Sequence, residues 1–106
     1  MGLEVITHGG IRYAEIIRAD LKVEKTTFFS PAESSFQFGL LAHEAGFVEP
    51  PHYHREFERP IKDLQQMFVV QRGVVGVQLF SDEGELLREV ELRAGDAIVQ
   101  IGRAHV

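Results

Sequence analysis

Val74-Val75-Gly76-Val77-Gln78-Leu79-Phe80 runs into Ser81-Asp82-Glu83-Gly84 and on into Glu85-Leu86-Leu87-Arg88-Glu89-Val90-Glu91-Leu92. The first run is rich in β-branched residues and reads as a strand. Ser81 to Gly84 is a hairpin turn, with Gly84 suited to positive φ. The run after it decides the fold class. Leu86, Leu87 and Val90 would suit one face of a helix, but the run stands between two strand signals, which favours a returning strand. Read that way, 74–92 is a β-hairpin and the chain needs no helix.

The same reading extends outward. Arg93-Ala94-Gly95-Asp96 turns the chain, Ala97 to Ile101 is the last apolar run, and Gly102-Arg103-Ala104-His105 follows it. On the other side, Leu64 to Gln71 has strand character around Met67, Phe68, Val69 and Val70. Arg55 to Asp63, charged and holding Pro60, reads as a loop. Phe36, Phe38, Leu40 and Ala42 alternate with Gln37, Gly39, Leu41 and His43, a strand signature that makes His43 a half-exposed strand residue. Ser30 to Ser35 is a loop by composition, or a short helical turn with Pro31 at its first position. Tyr13, Ile16, Ile17 and Leu21 have helical spacing. Ile11, Tyr13 and Ile17 also suit an extended chain, and Gly10 with the later Val23, Thr26, Thr27 and Phe28 favours strand. Leu3 to Thr7 alternates and meets His8-Gly9-Gly10, a turn in which His8 is a turn residue. Many short strands with turn signals about every 8–12 residues predict an all-β sandwich or barrel.

The 106 residues suit one domain with a modest core. The hydrophobic share is 44%, the charged share 25% and the net charge −5. These values are ordinary for a globular chain and give no basic footprint for nucleic acid or anionic membrane. The absence of cysteine excludes disulfides and zinc–thiolate sites and is compatible with a reducing cytoplasm. No apolar run reaches the ~18–20 residues of a membrane helix, and Met1-Gly2-Leu3-Glu4 does not open a signal peptide. The expectation is a soluble, cytoplasmic domain. Gly73-Val74-Val75-Gly76 lies between strands and cradles no phosphate, and no GxSxG elbow or cysteine nucleophile is present.

The chemistry gathers at Gly46-Phe47-Val48-Glu49-Pro50-Pro51-His52-Tyr53-His54. On a strand, His52 and His54 would share a face. Pro50 and Pro51 argue against helix, and Gly46 provides the turn. Paired imidazoles on one face begin a first-row metal site, although the same pair also suits a solvated edge strand.

These residues resemble the cupin superfamily of small β-barrels. Its first motif is a glycine, five residues, HxH, a short gap, a glutamate, six residues and a glycine; Gly46 and His52-Tyr53-His54 match its opening. Its second motif opens with glycine and aspartate and ends in a histidine. Gly95-Asp96 and Gly102-Arg103-Ala104-His105 are similar to it, one residue short and with Ile101 where a proline often stands. The resemblance covers about 46–106 and implies a double-stranded β-helix, or jelly-roll, barrel. It also implies a divalent metal (Zn, Fe, Ni, Mn or Cu) held by His52, His54, His105 and a fourth ligand. Glu58 has the right distance from His54, while Gln66 has the right distance from Gly73; the apolar run after Gln66 favours Gln66, with Gln66, Phe68 and Val70 on the barrel-lining face. A glutamine brings no charge, so a hard cation would be held less tightly.

The implied activity is binding of a small polar or sugar-like ligand at the barrel mouth, with catalysis left open. Some sugar-nucleotide 3,4-ketoisomerases pair HxH with a glutamine and use histidine as acid/base without metal, and Gln66, Val69, Val70 and Gly73 are similar to their pattern; His105 counts against them. A non-enzymatic ligand sensor is a third reading. Cupin barrels continue past the second-motif histidine. An edge left by a chain stopping at Val106 would be covered by the N-terminal strands or by a second subunit, in a homodimer.

Overall fold

The structure is a computed structural model. It describes every residue except Met1, Glu33, Phe57, Arg59, Lys62, Gly102, Arg103 and Val106, and only the backbone of Ala104 and His105. The described residues form strands, turns and loops, with no helix among them. The strands are β1 (Leu3–His8), β2 (Ile11–Ile17), β3 (Thr27–Phe28), β4 (Gly39–Leu40), β5 (Gln65–Val69), β6 (Val74–Phe80), β7 (Leu86–Arg93), β8 (Ala97–Ile101) and β9 (Ala104–His105). The all-β expectation holds, including the returning strand after Gly84. The chain divides into two compact units, Met1–Leu21 with Asp63–Val106, and Lys22–Lys62.

The larger unit has two sheets. One has the order β1-β2-β8-β5 and the other β7-β6-β9. β8 lies antiparallel between β2 and β5, so an N-terminal strand covers one edge of the run that follows Gly95-Asp96. Alternation explains the packing. Ile6, Ala14, Ile16 and Ile98 from the first sheet join Val77, Leu79 and Leu92 from the second, together with Val70, in one buried cluster. The two sheets therefore face each other across a common core, as amphipathic strands require.

The β1–β2 connection shows how sequence sets register. His8 pairs with Ile11, leaving Gly9-Gly10 as a two-residue loop. Both glycines have positive φ, 58° and 76°, the type I′ geometry that matches strand twist. His8 thus ends β1 rather than sitting in the turn. A bulge at the Ile6/Thr7 step of the β1–β2 ladder leaves Tyr13 without an opposite residue. The buried Tyr13 hydroxyl accepts a hydrogen bond from the Asp82 amide at 3.3 Å, tying this hairpin to the β6–β7 turn. A Cβ added at Gly9 meets nothing within 4 Å. Asparagine tolerates this conformation and restricts the unfolded chain, so Gly9→Asn should add about 0.5 kcal/mol. The expected rise in Tm is about 2–4 °C; an unchanged or lower Tm would contradict the turn geometry.

The smaller unit departs from expectation. Of the strand expected over 36–42, only Gly39–Leu40 pairs, with Thr27–Phe28. Phe29 and Phe38 stack with ring centres 5.8 Å apart, so the aromatic side chains pack without a long ladder. His43 lies outside any strand. Its Nε2 is 3.2 Å from Thr26 Oγ1 and its ring stacks on Phe47. Ser30–Ser35 contains no helix among its described residues.

Candidate metal-binding site

The turn before the histidine pair forms as its sequence demands. The Phe47 amide donates to the Glu44 carbonyl at 3.1 Å. Gly46 takes φ 86°, a conformation that glycine adopts without steric cost. The stretch from Phe47 to Glu56 is not a strand, however. Pro50 and Pro51, which argue against helix, also remove two consecutive ladder donors, so the segment has no regular pairing. The shared strand face expected for His52 and His54 is therefore absent.

The two imidazoles nevertheless stand together. Their ring centres are 5.4 Å apart and the planes meet at 72°. Two imidazoles bound to one ion at about 2.1 Å, with tetrahedral angles, would have ring centres about 5 Å apart. His52 Nδ1 lies 3.2 Å from the Pro50 carbonyl oxygen. A carbonyl only accepts, so a hydrogen bond there puts the proton on Nδ1 and leaves the Nε2 lone pair free. Metal-ligating histidines are commonly oriented in this way. Glu49 adds a carboxylate oxygen 3.7 Å from the same Nδ1. Both histidines are exposed, so neither is fixed by a role in the core.

The remaining candidates are distributed as follows. Glu58, like His52 and His54, belongs to the smaller unit and is exposed. Gln66 lies on β5 opposite Gln100, in step with Phe68 opposite Ile98. Ile98 is in the core, so Gln66 shares the face that leads to Val70, the parity expected from the sequence. His105 pairs with Gln78 through the backbone; its side chain, and Gly102 and Arg103 of the second motif, lie outside the described residues. Among the described residues, no three His, Cys, Asp or Glu side chains gather as a metal site.

The second-motif aspartate has a role that its position in a turn conceals. Asp96, 7% exposed, accepts hydrogen bonds from the amides of Ala19 at 2.8 Å and Arg93 at 2.9 Å. The Arg18 guanidinium donates to it at 3.2 Å, to Glu4 at 2.9 Å and to the Glu91 carbonyl at 2.7 Å. Burial works against charge on Asp96, but the Arg93 and Ala19 amides and then Arg18 outweigh it and hold the carboxyl below its ordinary value. The Glu4 hydrogen bond, opposed by burial and aided by Asp96, raises the pKa of Arg18. This network closes the corner where β7 passes into β8. It is structural, and only the Gly-Asp pair pointed to it.

No helix among the described residues is long and apolar enough to cross a membrane. In comparisons with known proteins, no family model, no curated protein and no solved structure matches the chain.

Proposed function

We propose that this chain is a small cupin-like domain of the jelly-roll type that holds one divalent transition metal and binds a small polar or sugar-like ligand beside it. The observation that carries the reading is the edge-to-face pair of exposed imidazoles, His52 and His54. The spacing suits two ligands of one ion, and the Pro50 carbonyl suits the tautomer that leaves His52 Nε2 free. His105 and Gln66 complete the proposed donor set, with Glu58 the competitor for the fourth position. When bound, such a metal would polarise a carbonyl or hydroxyl oxygen of the ligand. The protein would supply orientation through the imidazoles and the Gln66 amide. The proposed assembly is a homodimer, supported by the exposed apolar residues Met67, Phe68 and Val69 on the edge strand β5. The lack of cysteine supports a cytoplasmic setting.

The test is metal titration of protein purified without a nickel column, by calorimetry under chelator competition. Wild type should take up one equivalent, and His52→Ala or His54→Ala should weaken binding by about 100-fold or more. His105→Ala should have a similar effect. Gln66→Glu should tighten binding and Glu58→Ala leave it unchanged, because an exposed carboxylate is screened. Absence of uptake by wild type would refute the proposal. Loss of metal in Glu58→Ala, with Gln66→Glu silent, would reassign the fourth ligand.

A further inference from the structure

The sheets of the larger unit end in strands of unequal character. An edge strand offers unpaired N–H and C=O groups, and proteins blunt it with charges, bulges or brevity. β1 carries Glu4, bonded to Arg18 and Arg88, and a bulge at the Ile6/Thr7 step. β7 carries Arg88, Glu89, Glu91 and Arg93, and β9 has only two residues. β5 has none of these devices. Its register with β8 is unbroken from Gln65 to Val69, and the run from Leu64 to Gln71 contains no charge and no proline.

The outer side of β5 follows from the ladder. The Val70 amide donates to the Asp96 carbonyl, on the β8 side. Alternate residues of an antiparallel strand face the same neighbour, so Gln66 and Phe68 bond to β8 while Met67 and Val69 turn N–H and C=O outward. Their side chains are open too: Met67 is 44% exposed, Phe68 46% and Val69 58%. Beside Phe68 and Val69 an apolar cavity of about 400 Å³, lined also by Val75, Val77, Leu92 and Ile98, meets solvent. The run is also self-complementary. Two copies laid antiparallel about Phe68 set Phe68 opposite Phe68, each Met67 opposite Val69 and each Gln65 opposite Gln71. An axis at Met67 would instead set Phe68 against Gln66 and Val69 against Gln65. The nearest flanking charges are Asp63 and Arg72; antiparallel pairing brings one of each sign to either end, whereas parallel pairing would bring like to like.

We propose that β5 is the docking edge for a second copy of this chain, the two β5 strands pairing antiparallel across a two-fold axis at Phe68. Met67 and Val69 of each copy supply the ladder hydrogen bonds. The two Phe68 rings meet on the core face and close the apolar space that each copy leaves open there. The first sheets of the two copies then form one sheet of eight strands. The inference gives the proposed homodimer its mode and register; it rests on that part of the reading and not on the metal, since neither His52 nor His54 takes part.

The test is light scattering in EDTA across a dilution series, joined to cysteine cross-linking, which the cysteine-free chain makes clean. Wild type should scatter at twice the 12.0 kDa of the chain. Met67→Pro removes an outward N–H from each copy and leaves the β5–β8 ladder whole, so it should weaken dimerisation by about 30-fold or more with the fold retained. Val69→Lys, which places a charge on the edge, should act alike and decides the matter if Met67→Pro fails to fold. Opposed residues of a non-hydrogen-bonded pair stand about 4.5 Å apart at Cα, within disulfide reach. Phe68→Cys should therefore form a covalent dimer under mild oxidation, while Met67→Cys and Val5→Cys, the latter on β1, should not. A dimer that survives both edge variants, or that cross-links through Val5→Cys or Met67→Cys rather than Phe68→Cys, overturns this interface and leaves the homodimer standing. A monomeric wild type overturns both. With chelator present, neither result bears on the metal titration.

Discussion

Asp96→Ala is expected to cost about 3 kcal/mol of stability at neutral pH. The carboxylate accepts three hydrogen bonds at the β7–β8 corner, from the Ala19 and Arg93 amides and from Arg18. Truncation leaves the two amides without their acceptor and Arg18 without one of its anions. Hydrogen bonds involving a charged group contribute about 1.5–3 kcal/mol each, and water entering the vacated space recovers part of the loss. Asp96→Asn keeps the shape but turns an Nδ2 donor toward one of these donors, so it should cost about 2 kcal/mol.

The pH dependence has a definite sign. The folded carboxyl is held below its ordinary value near 3.8, so the unfolded chain binds the proton more readily. Its contribution is complete above the ordinary carboxylate range and is lost as pH falls below about 4 and through the folded value. Urea titrations from pH 7 to pH 3 should show wild type and Asp96→Asn converging at the acid end. A gap that stays constant across that range, or a loss under about 1 kcal/mol for Asp96→Ala, would reject this account.

Leu79→Ala should have an effect of similar size for a different reason. Leu79 is 0% exposed and sits in the cluster between the two sheets. Leu79 is paired through the backbone with Arg88 on β7 and Ala104 on β9, so its strand is held on both sides although the β6–β7 register shifts at the next step, Leu79/Phe80. Buried leucine truncations cost about 2–5 kcal/mol, the upper part of the range belonging to sites that keep the void; about 3–4 kcal/mol is expected here. Equilibrium denaturation with an unchanged m-value is the measurement. A loss below about 1.5 kcal/mol would mean that the sheets do not share the core described above.

The sequence was most legible where local signals agreed. Val74–Phe80 and Ala97–Ile101 begin and end in the structure as their composition predicts, and the Glu85–Leu92 run forms β7 one residue later, at Leu86–Arg93. Here β-branched residues, turn glycines and alternation coincide. In the stretch 36–54 they do not. Phe36 and Phe38 alternate correctly, but alternation only says that a strand would be amphipathic; it does not provide a partner. Pro50 and Pro51 rule out helix and ladder alike, and only the first consequence was visible without knowing what lay alongside. β9 was missed because two residues carry no period. Gln100 was readable in part: in Ala97-Ile98-Val99-Gln100-Ile101 it is the one polar residue on the face of Ile98, an anomaly that an apolar-run reading passes over.

The place of β8 between β2 and β5 has a consequence for how the protein is made. Ala14 pairs with Gln100 and Ile17 with Ala97, so the central strand of the first sheet joins residues near opposite ends of the described chain. The β1–β2 and β6–β7 hairpins close short loops and can form within microseconds, whereas β8 must close a very long one. During synthesis from the N-terminus, β2 and β5 emerge well before the strand that lies between them. Until residues 97–101 leave the ribosome, both expose apolar faces and unpaired edges. The first sheet therefore closes in one late step, and an incomplete chain is a candidate for chaperone capture.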